Sequence, residues 1–160
     1  MSFASSPPEE ADLFNPAFLS LLIAVATRDY EVTADTLMPF ELAFVIPPIA
    51  LDADARAQLP GNVNALLSPW LIAHPVLQVA IAQRAKALVP FVREALRYGL
   101  RARAIEFSDA GLHSRVSQRS RASLRTQDAR DCAIAAAFVG RWLARTGDTP
   151  TIFALLGVRP

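Results

Sequence analysis

The sequence predicts a mainly α-helical fold, a compact helical domain with one β-hairpin. Segments with apolar residues at helical spacing recur along the chain. In one short stretch, apolar and polar residues instead alternate around a turn. The chain has 160 residues, 52% of them hydrophobic, and one cysteine, so it can bury a core without disulfides. Residues 1–12 are rich in Ser, Pro and Glu and are predicted to be a disordered tail. Residues 13–160 are predicted to form a single helical domain.

The first predicted helix lies in FNPAFLSLLIAVATRDY. Asn15 suits the N-cap and Pro16 the first helical position. From Ala17 to Ala26 the segment is apolar almost all round, which is typical of a helix at the centre of a fold. The next segment, TADTLMPFELAFVIPPIAL, predicts a second apolar helix that ends at Pro47 and Pro48.

Two further helices are predicted before the hairpin. NALLSPWLIAHP indicates a short helix. The longest pattern is PVLQVAIAQRAKALVPFVREALRYGL, which Pro90 is expected to kink or split and Gly99 to end. Its apolar stripe is assigned to Val76, Val79, Ala80, Ala87, Leu88, Val92 and Leu96.

The hairpin is predicted in RARAIEFSDAGLHSRV. Ile105 and Phe107 alternate with more polar neighbours, residues 109–111 form a turn, and LHSRV is the return strand. Because helices precede and follow it, the arrangement is compatible with a winged-helix-like element.

Two helices are predicted to close the chain. DARDCAIAAAFVGRWLARTG predicts a long helix that begins near Asp128 and ends at Gly147. TPTIFALLGV predicts a short one, with Thr149 as N-cap and Pro150 at the first position. The candidate apolar core or interface residues are Phe18, Leu22, Ile152, Phe153 and Leu156. We expect the last three to be buried, either against the first helix or against a partner protein.

The net charge of +1 conceals an asymmetry. Residues 1–80 carry a net charge of −7 and residues 81–160 a net charge of +8. Either the two halves neutralise each other in the fold, or a basic face meets an acidic protein or nucleic acid. The nearly zero total favours neutralisation or an acidic protein partner. The candidate contacts to a partner or to nucleic acid are Arg115, Arg119, Arg121 and Arg125, which a solvated loop also explains.

Catalytic patterns are missing from the sequence. It contains no phosphate-binding glycine loop and no GxSxG nucleophile elbow. His74 and His113 are too few for most metal or acid–base schemes, and Cys132 lies among alanines as a small buried residue would. We therefore expect that the protein is not an enzyme and that it has no catalytic site, metal site or cofactor. The acidic N-terminus and the lack of a long apolar run predict a cytoplasmic protein with no membrane partner.

Three segments carry a resemblance to a known family. They are NPAFLSLLIAVATRDY, KALVPFVREALRYGL and, most specifically, GRWLARTGDTPTIFALLGVRP. They resemble the middle component of three-component ABC systems, which are implicated in prokaryotic defence against phage and plasmids. The resemblance implies partners, namely an SMC-like or Rad50-like ABC ATPase and an effector protein. It assigns no functional residues.

The leading hypothesis is a non-enzymatic adaptor between that ATPase and the effector. Lack of catalytic motifs, high apolar content and polarised charge agree with it. A DNA-binding module of winged-helix type, using residues 84–125, is the alternative. DNA is then a further partner, reached directly or through the complex.

Overall fold

The computed structural model describes residues 14–117, 120 and 123–159 and confirms a mainly helical fold with one hairpin. The predicted tail, residues 1–12, lies outside the described residues. The helices of the described part are α1 (Pro16–Ala34), α2 (Ile46–Ala50), α3 (Ala53–Gln58), α4 (Leu67–Ala73), α5 (Pro75–Arg101), α6 (Gln127–Thr146) and α7 (Thr149–Leu156). A 3₁₀ segment spans Phe40–Phe44, and the strands are β1 (Ile105–Ser108) and β2 (Gly111–Ser114).

Helix α1 is the centre of the fold, as predicted. It packs chiefly against α6 and α5, and its side chains from Leu22 to Thr27 are all buried. The Asn15 side chain caps the helix, accepting a hydrogen bond from the Ala17 N–H at 2.8 Å, and Pro16 fills the first position. Local capping therefore begins the helix, and burial by two long neighbours holds it in place.

The crossing of α1 and α6 depends on Gly140. A Cβ atom built at this position would lie 2.2 Å from the Ala26 carbonyl oxygen. That distance is far below van der Waals contact, and the obstructing atom belongs to the backbone of α1. A glycine at position 140 therefore allows the two helices to approach this closely.

Gly140→Ala is expected to lower the free energy of unfolding by about 1 kcal/mol, and by at most about 2 kcal/mol. The overpacking cost of about 1–3 kcal/mol outweighs the gain of about 1 kcal/mol in helix propensity, because helix backbone rather than a flexible side chain must move. Urea denaturation measures the change. Gly61→Ala is the control, since a Cβ atom there would have no neighbour within 4 Å. A midpoint for Gly140→Ala at or above that of the wild type would contradict this account of the crossing.

The segment after α1 does not form the predicted single apolar helix. Met38 instead forms a bridge to the hairpin, donating its N–H to the Leu112 carbonyl and accepting the Leu112 N–H at 2.7 Å. The prediction that Pro47 and Pro48 end a helix was also wrong, because both lie in the first turn of α2. A proline in the first turn leaves no hydrogen bond unmade there, so the pair begins a helix as readily as it ends one.

Helix α5 is continuous over 27 residues, and Pro90 does not split it. The prediction that Gly99 ends the helix was wrong as well. Gly99 lies inside α5, where a Cβ atom would be 2.6 Å from the Ser20 Oγ of α1. The glycine serves close packing between two helices rather than a left-handed cap.

The apolar stripe of α5 differs from the predicted one in its first turns and at Ala87, which is exposed. The residues it buries are Leu77, Ile81, Ala85, Leu88, Val92, Ala95, Leu96 and Gly99. Val76 and Val79, both predicted to be in the stripe, are 82% and 57% exposed. Apolar residues occupy both faces of these turns, so spacing alone does not reveal which face meets the core.

The hairpin confirms the alternation predicted from the sequence. Strands β1 and β2 pair antiparallel, from Ile105 opposite Ser114 to Ser108 opposite Gly111. Ile105 and Leu112 are buried, whereas Phe107 is 55% exposed and meets the Phe40 ring edge-on at 5.1 Å. The hairpin thus anchors one side to the core and leaves an aromatic side chain at the surface.

Helix α7 begins one residue earlier than predicted. The N-cap is Asp148 rather than Thr149, and its Oδ1 accepts the Thr151 N–H at 2.8 Å. Hydrogen bonds with Thr151 lower the pKa of Asp148 because they favour the charged carboxylate. Gly157, in the left-handed conformation, ends the helix as predicted.

Candidate functional site

Ion pairs join the two oppositely charged halves of the chain. Among the described residues, four of them connect a residue before position 80 with one after it: Asp29–Arg141, Glu31–His113, Asp52–Arg84 and Arg56–Asp128. The last two have N–O distances of 2.9 and 2.8 Å. Asp29–Arg141 and Asp52–Arg84 pair an acid of the first half with an arginine of the second and so offset part of the charge asymmetry, whereas Arg56–Asp128 pairs the opposite signs. The excess of arginine after residue 80 is not, on its own, a basic face.

The predicted arginine series is described only in part. Arg119 and Arg121 lie outside the described residues. Arg115 is exposed and pairs with Glu106 across the hairpin. Arg125 is exposed ahead of α6, beside a shallow depression of about 410 Å³ that Phe18 and other α1 residues also line. Contact of the whole series with a partner or with DNA stays a prediction.

The DNA-binding alternative predicts that Arg119→Glu/Arg121→Glu weakens binding to duplex DNA. Loss of two phosphate contacts should reduce the slope of log affinity against log salt by about 2. Fluorescence anisotropy with a labelled duplex across a salt series measures this slope. Arg145→Glu/Arg159→Glu, with the same charge change at two exposed positions outside residues 84–125, is the control. No binding of the wild type at low salt would exclude this alternative.

The side chains of Cys132 and His74, which could in principle act as a nucleophile or a base, make structural contacts instead. Burial raises the pKa of the Cys132 thiol to about 11, and Arg56 donates a hydrogen bond to its sulfur at 3.3 Å. This thiol is protonated at neutral pH and is a weak nucleophile. His74 lies 2.7 Å from the Trp70 carbonyl and its ring packs against the Trp70 ring. Within the described ranges, no cluster of three or more His, Cys, Asp or Glu side chains could hold a metal ion.

The apolar C-terminal segment packs into the chain's own fold. Helix α7 contacts α4 and α5, and Ile152 and Leu156 are fully buried. Gln78 of α5 donates a hydrogen bond to the Leu155 carbonyl at 2.6 Å. Leu22 is likewise fully buried, and Phe18 is partly buried against the core. For Ile152 and Leu156, internal packing is sufficient to explain their apolar character.

Phe153 is buried at a different place, beside a groove that the sequence analysis missed. The groove has a volume of about 550 Å³ and lies between α5, the 3₁₀ segment and the end of α7. The apolar lining residues are Phe40, Phe44, Ala82, Ala85, Val89, Phe153 and Val158. The charged ones are Glu41, Lys86, Arg93 and Arg159. We call this feature the α5 groove.

A signal for the α5 groove is present in the sequence. Ala82, Ala85 and Val89 are spaced by three and four residues, so they share one face of a helix. Lys86 and Arg93 continue the same face. This face of α5 therefore carries small apolar side chains with cations beside them. Of these residues, only Ala85 belongs to the buried stripe of α5.

Large apolar side chains are exposed where α4 meets α5. Ile72, Val76 and Val79 are 76%, 82% and 57% exposed. We call this set the α4–α5 patch. The three residues lie close together in sequence, and exposed apolar side chains that adjoin one another are typical of interaction surfaces. No helix in the described part of the chain has the length and hydropathy that a membrane crossing requires.

A family model accounts for nearly the whole chain. The model described as ABC-three component (ABC-3C) system Middle Component 3 matches residues 4–160. Searches of curated proteins and of solved structures each found no match. The family match confirms the resemblance drawn from three segments, and membership of a three-component system implies association with the other components. The chain therefore belongs to the Middle Component 3 family of ABC three-component systems.

Proposed function

We propose that the protein is a non-enzymatic adaptor that links an SMC-like ABC ATPase to an effector in a prokaryotic anti-phage or anti-plasmid complex. The observation that carries this proposal is the α4–α5 patch. Its three side chains, Ile72, Val76 and Val79, are each more than half exposed. Covering such side chains with a partner removes apolar area from water, at about 25 cal/mol per Å². A component of a multi-protein system has partners to supply that cover.

The surroundings of the reactive side chains support a role without catalysis. The Cys132 thiol is buried and protonated, and both histidines are held by nearby groups, Trp70 for His74 and Glu31 for His113. In this proposal the chain contributes surfaces rather than chemistry. ATP hydrolysis and the effector reaction belong to the other two components.

Co-expression with the ATPase and effector of the same system tests the proposal. Size-exclusion chromatography is expected to show the chain co-eluting with both components. Val76→Ser/Val79→Ser should reduce co-elution while leaving the circular dichroism spectrum unchanged, because both side chains are exposed. Val32→Ser, at a 78% exposed position on α1, is the matched control. A chain that stays monomeric and unbound beside both components would refute the adaptor role.

A further inference from the structure

We propose that the α5 groove binds an acidic amphipathic helix from another component of the complex. This inference rests on the proposed adaptor function and names the chemistry of one contact. The floor of the groove, its length and the charges on its rim each point to this occupant.

The α5 side of the groove matches the shape of a second helix. Its lining residues run from Ala82 to Arg93, a distance of about 16 Å or three turns. Ala82 and Ala85 are small, so a helix lying along this face can approach α5 closely. The opposite walls come from the 3₁₀ segment and the end of α7. A helix of about 11 residues would fill the length of the groove.

Aromatic side chains extend the apolar floor toward the hairpin. Phe40 and Phe44 pack edge-to-face with ring centroids 5.6 Å apart. Phe40 also contacts Phe107, which is 55% exposed. An occupant that leaves the groove at this end therefore meets a further aromatic side chain. Aromatic residues are enriched where interfaces derive most of their binding energy.

The rim selects negative charge. Lys86, Arg93 and Arg159 contribute three cations, against the single carboxylate of Glu41. Among the described residues, none of these three cations forms a salt bridge, whereas Arg84 and Arg97 of the same helix do. Lys86 and Arg93 are seven residues apart, about 10 Å along α5. They can therefore pair with two carboxylates about two turns apart on the bound helix.

The apolar floor and the charged rim have different tasks. Exposed ion pairs contribute little net free energy, so the floor is expected to supply most of the affinity. The cations set the orientation of the bound helix and exclude basic helices. Binding should accordingly weaken with salt, but not vanish.

Two other occupants fit the groove less well. The N-terminal residues of this chain contain the acids Glu9, Glu10 and Asp12, but these are clustered and Pro7 and Pro8 precede them. That spacing does not match Lys86 and Arg93. A second copy would have to present two free carboxylates about two turns apart on one helix. In the helices of the described part, the carboxylates outside the ion pairs are Asp54 of α3 and Asp131 of α6, one on each helix.

The first test compares two double charge reversals in the purified system. Lys86→Glu/Arg93→Glu is expected to weaken assembly with one component about tenfold or more, because attraction at the rim becomes repulsion. Arg101→Glu/Arg103→Glu, with the same net charge change near the end of the same helix, should leave assembly unchanged. Circular dichroism melting checks that both variants fold. Equal affinities of the two variants for both components would overturn the proposal.

The second test identifies the occupant. A photo-reactive benzoylphenylalanine replaces Val89 in the groove floor, and the full complex is irradiated and digested for mass spectrometry. We expect the cross-linked peptide to come from the ATPase or effector and to carry acids seven or eight residues apart. Cross-links only to residues 1–12, to a second copy or to a basic segment, or none at all, would overturn the proposal.

Failure of this inference is distinguishable from failure of the adaptor function. If the unmodified chain assembles with both components and Lys86→Glu/Arg93→Glu assembles equally well, only the groove assignment falls. If the unmodified chain binds neither component, the adaptor function falls and the groove assignment falls with it.

Discussion

Deletion of residues 151–160 is expected to abolish the folded state of the isolated chain. The deletion removes Ile152, Phe153 and Leu156, which are all buried, and the acceptor of the Gln78 hydrogen bond. Truncation of a buried side chain of this size to alanine costs about 2–5 kcal/mol. The sum for three is comparable to the whole stability of a domain, about 5–15 kcal/mol. Circular dichroism and thermal melting of the truncated chain measure the loss.

A matched pair of single substitutions shows whether the deletion acts through lost side-chain packing or through the shortening of the chain. Leu156→Ala, at a fully buried position, should lower the free energy of unfolding by about 2–5 kcal/mol. Leu155→Ala makes the same chemical change at its partly buried neighbour and should cost clearly less. A truncated chain that melts cooperatively near the wild-type temperature, yet fails to assemble, would assign α7 to an interface instead of the core.

Trp142→Ala is expected to lower the free energy of unfolding by about 3–5 kcal/mol, the usual cost of emptying a large aromatic site. Trp142 is fully buried in α6 and packs edge-to-face on Trp70 with ring centroids 5.2 Å apart. Its indole N–H donates to the Ala65 carbonyl at 2.7 Å. The side chain therefore ties the loop before α4 to the last long helix. Urea denaturation followed by circular dichroism measures the change.

Trp142→Phe divides this effect into packing and hydrogen bonding. The phenyl ring retains most of the contact but leaves the Ala65 carbonyl without its donor, which costs about 1–3 kcal/mol. Ile134→Ala, at a 60% exposed position of the same helix, should change stability by less than about 0.5 kcal/mol. Equal stability of Trp142→Ala and wild type would mean that this contact is not made in solution.

Elements with strong local signals could be predicted from the sequence. Asn15 and Pro16 mark the start of α1, and Gly147 and Gly157 mark the ends of α6 and α7. The hairpin follows from alternation around a short turn. In each case the residues that start or end the element lie within a few positions of one another, so the pattern can be recognised in a single sequence.

The predictions that failed depend on contacts between distant segments. Glycine is typical of a helix end, but Gly99 is needed inside α5 because Ser20 of α1 lies too close for a Cβ atom. Val76 and Val79 are as apolar as their buried neighbours, and the packing of α5 against the other elements decides which of them face solvent. Pro47 and Pro48 lie at the start of a helix, after a segment that a bridge from Met38 joins to the distant hairpin.

The candidate site was the least predictable part. The arginine pattern indicated Arg115, which the fold pairs with Glu106, and Arg119 and Arg121, which lie outside the described residues. The α5 groove went unnoticed because its walls come from three segments that are far apart in the chain. A groove is a property of how elements are packed, and no single segment carries its pattern.

The packing of α1 also bears on how the protein is made in the cell. α1 leaves the ribosome early, but α6, its most extensive partner, begins about 90 residues after α1 ends. At about 5–20 residues per second, this interval lasts roughly 5 to 20 s. During that time the face of α1 that α6 will cover has no permanent partner, although α5 is complete before α6 begins. We therefore expect the yield of the protein to depend on translation speed and on chaperones that bind the nascent chain, before the stability of the finished fold has any influence.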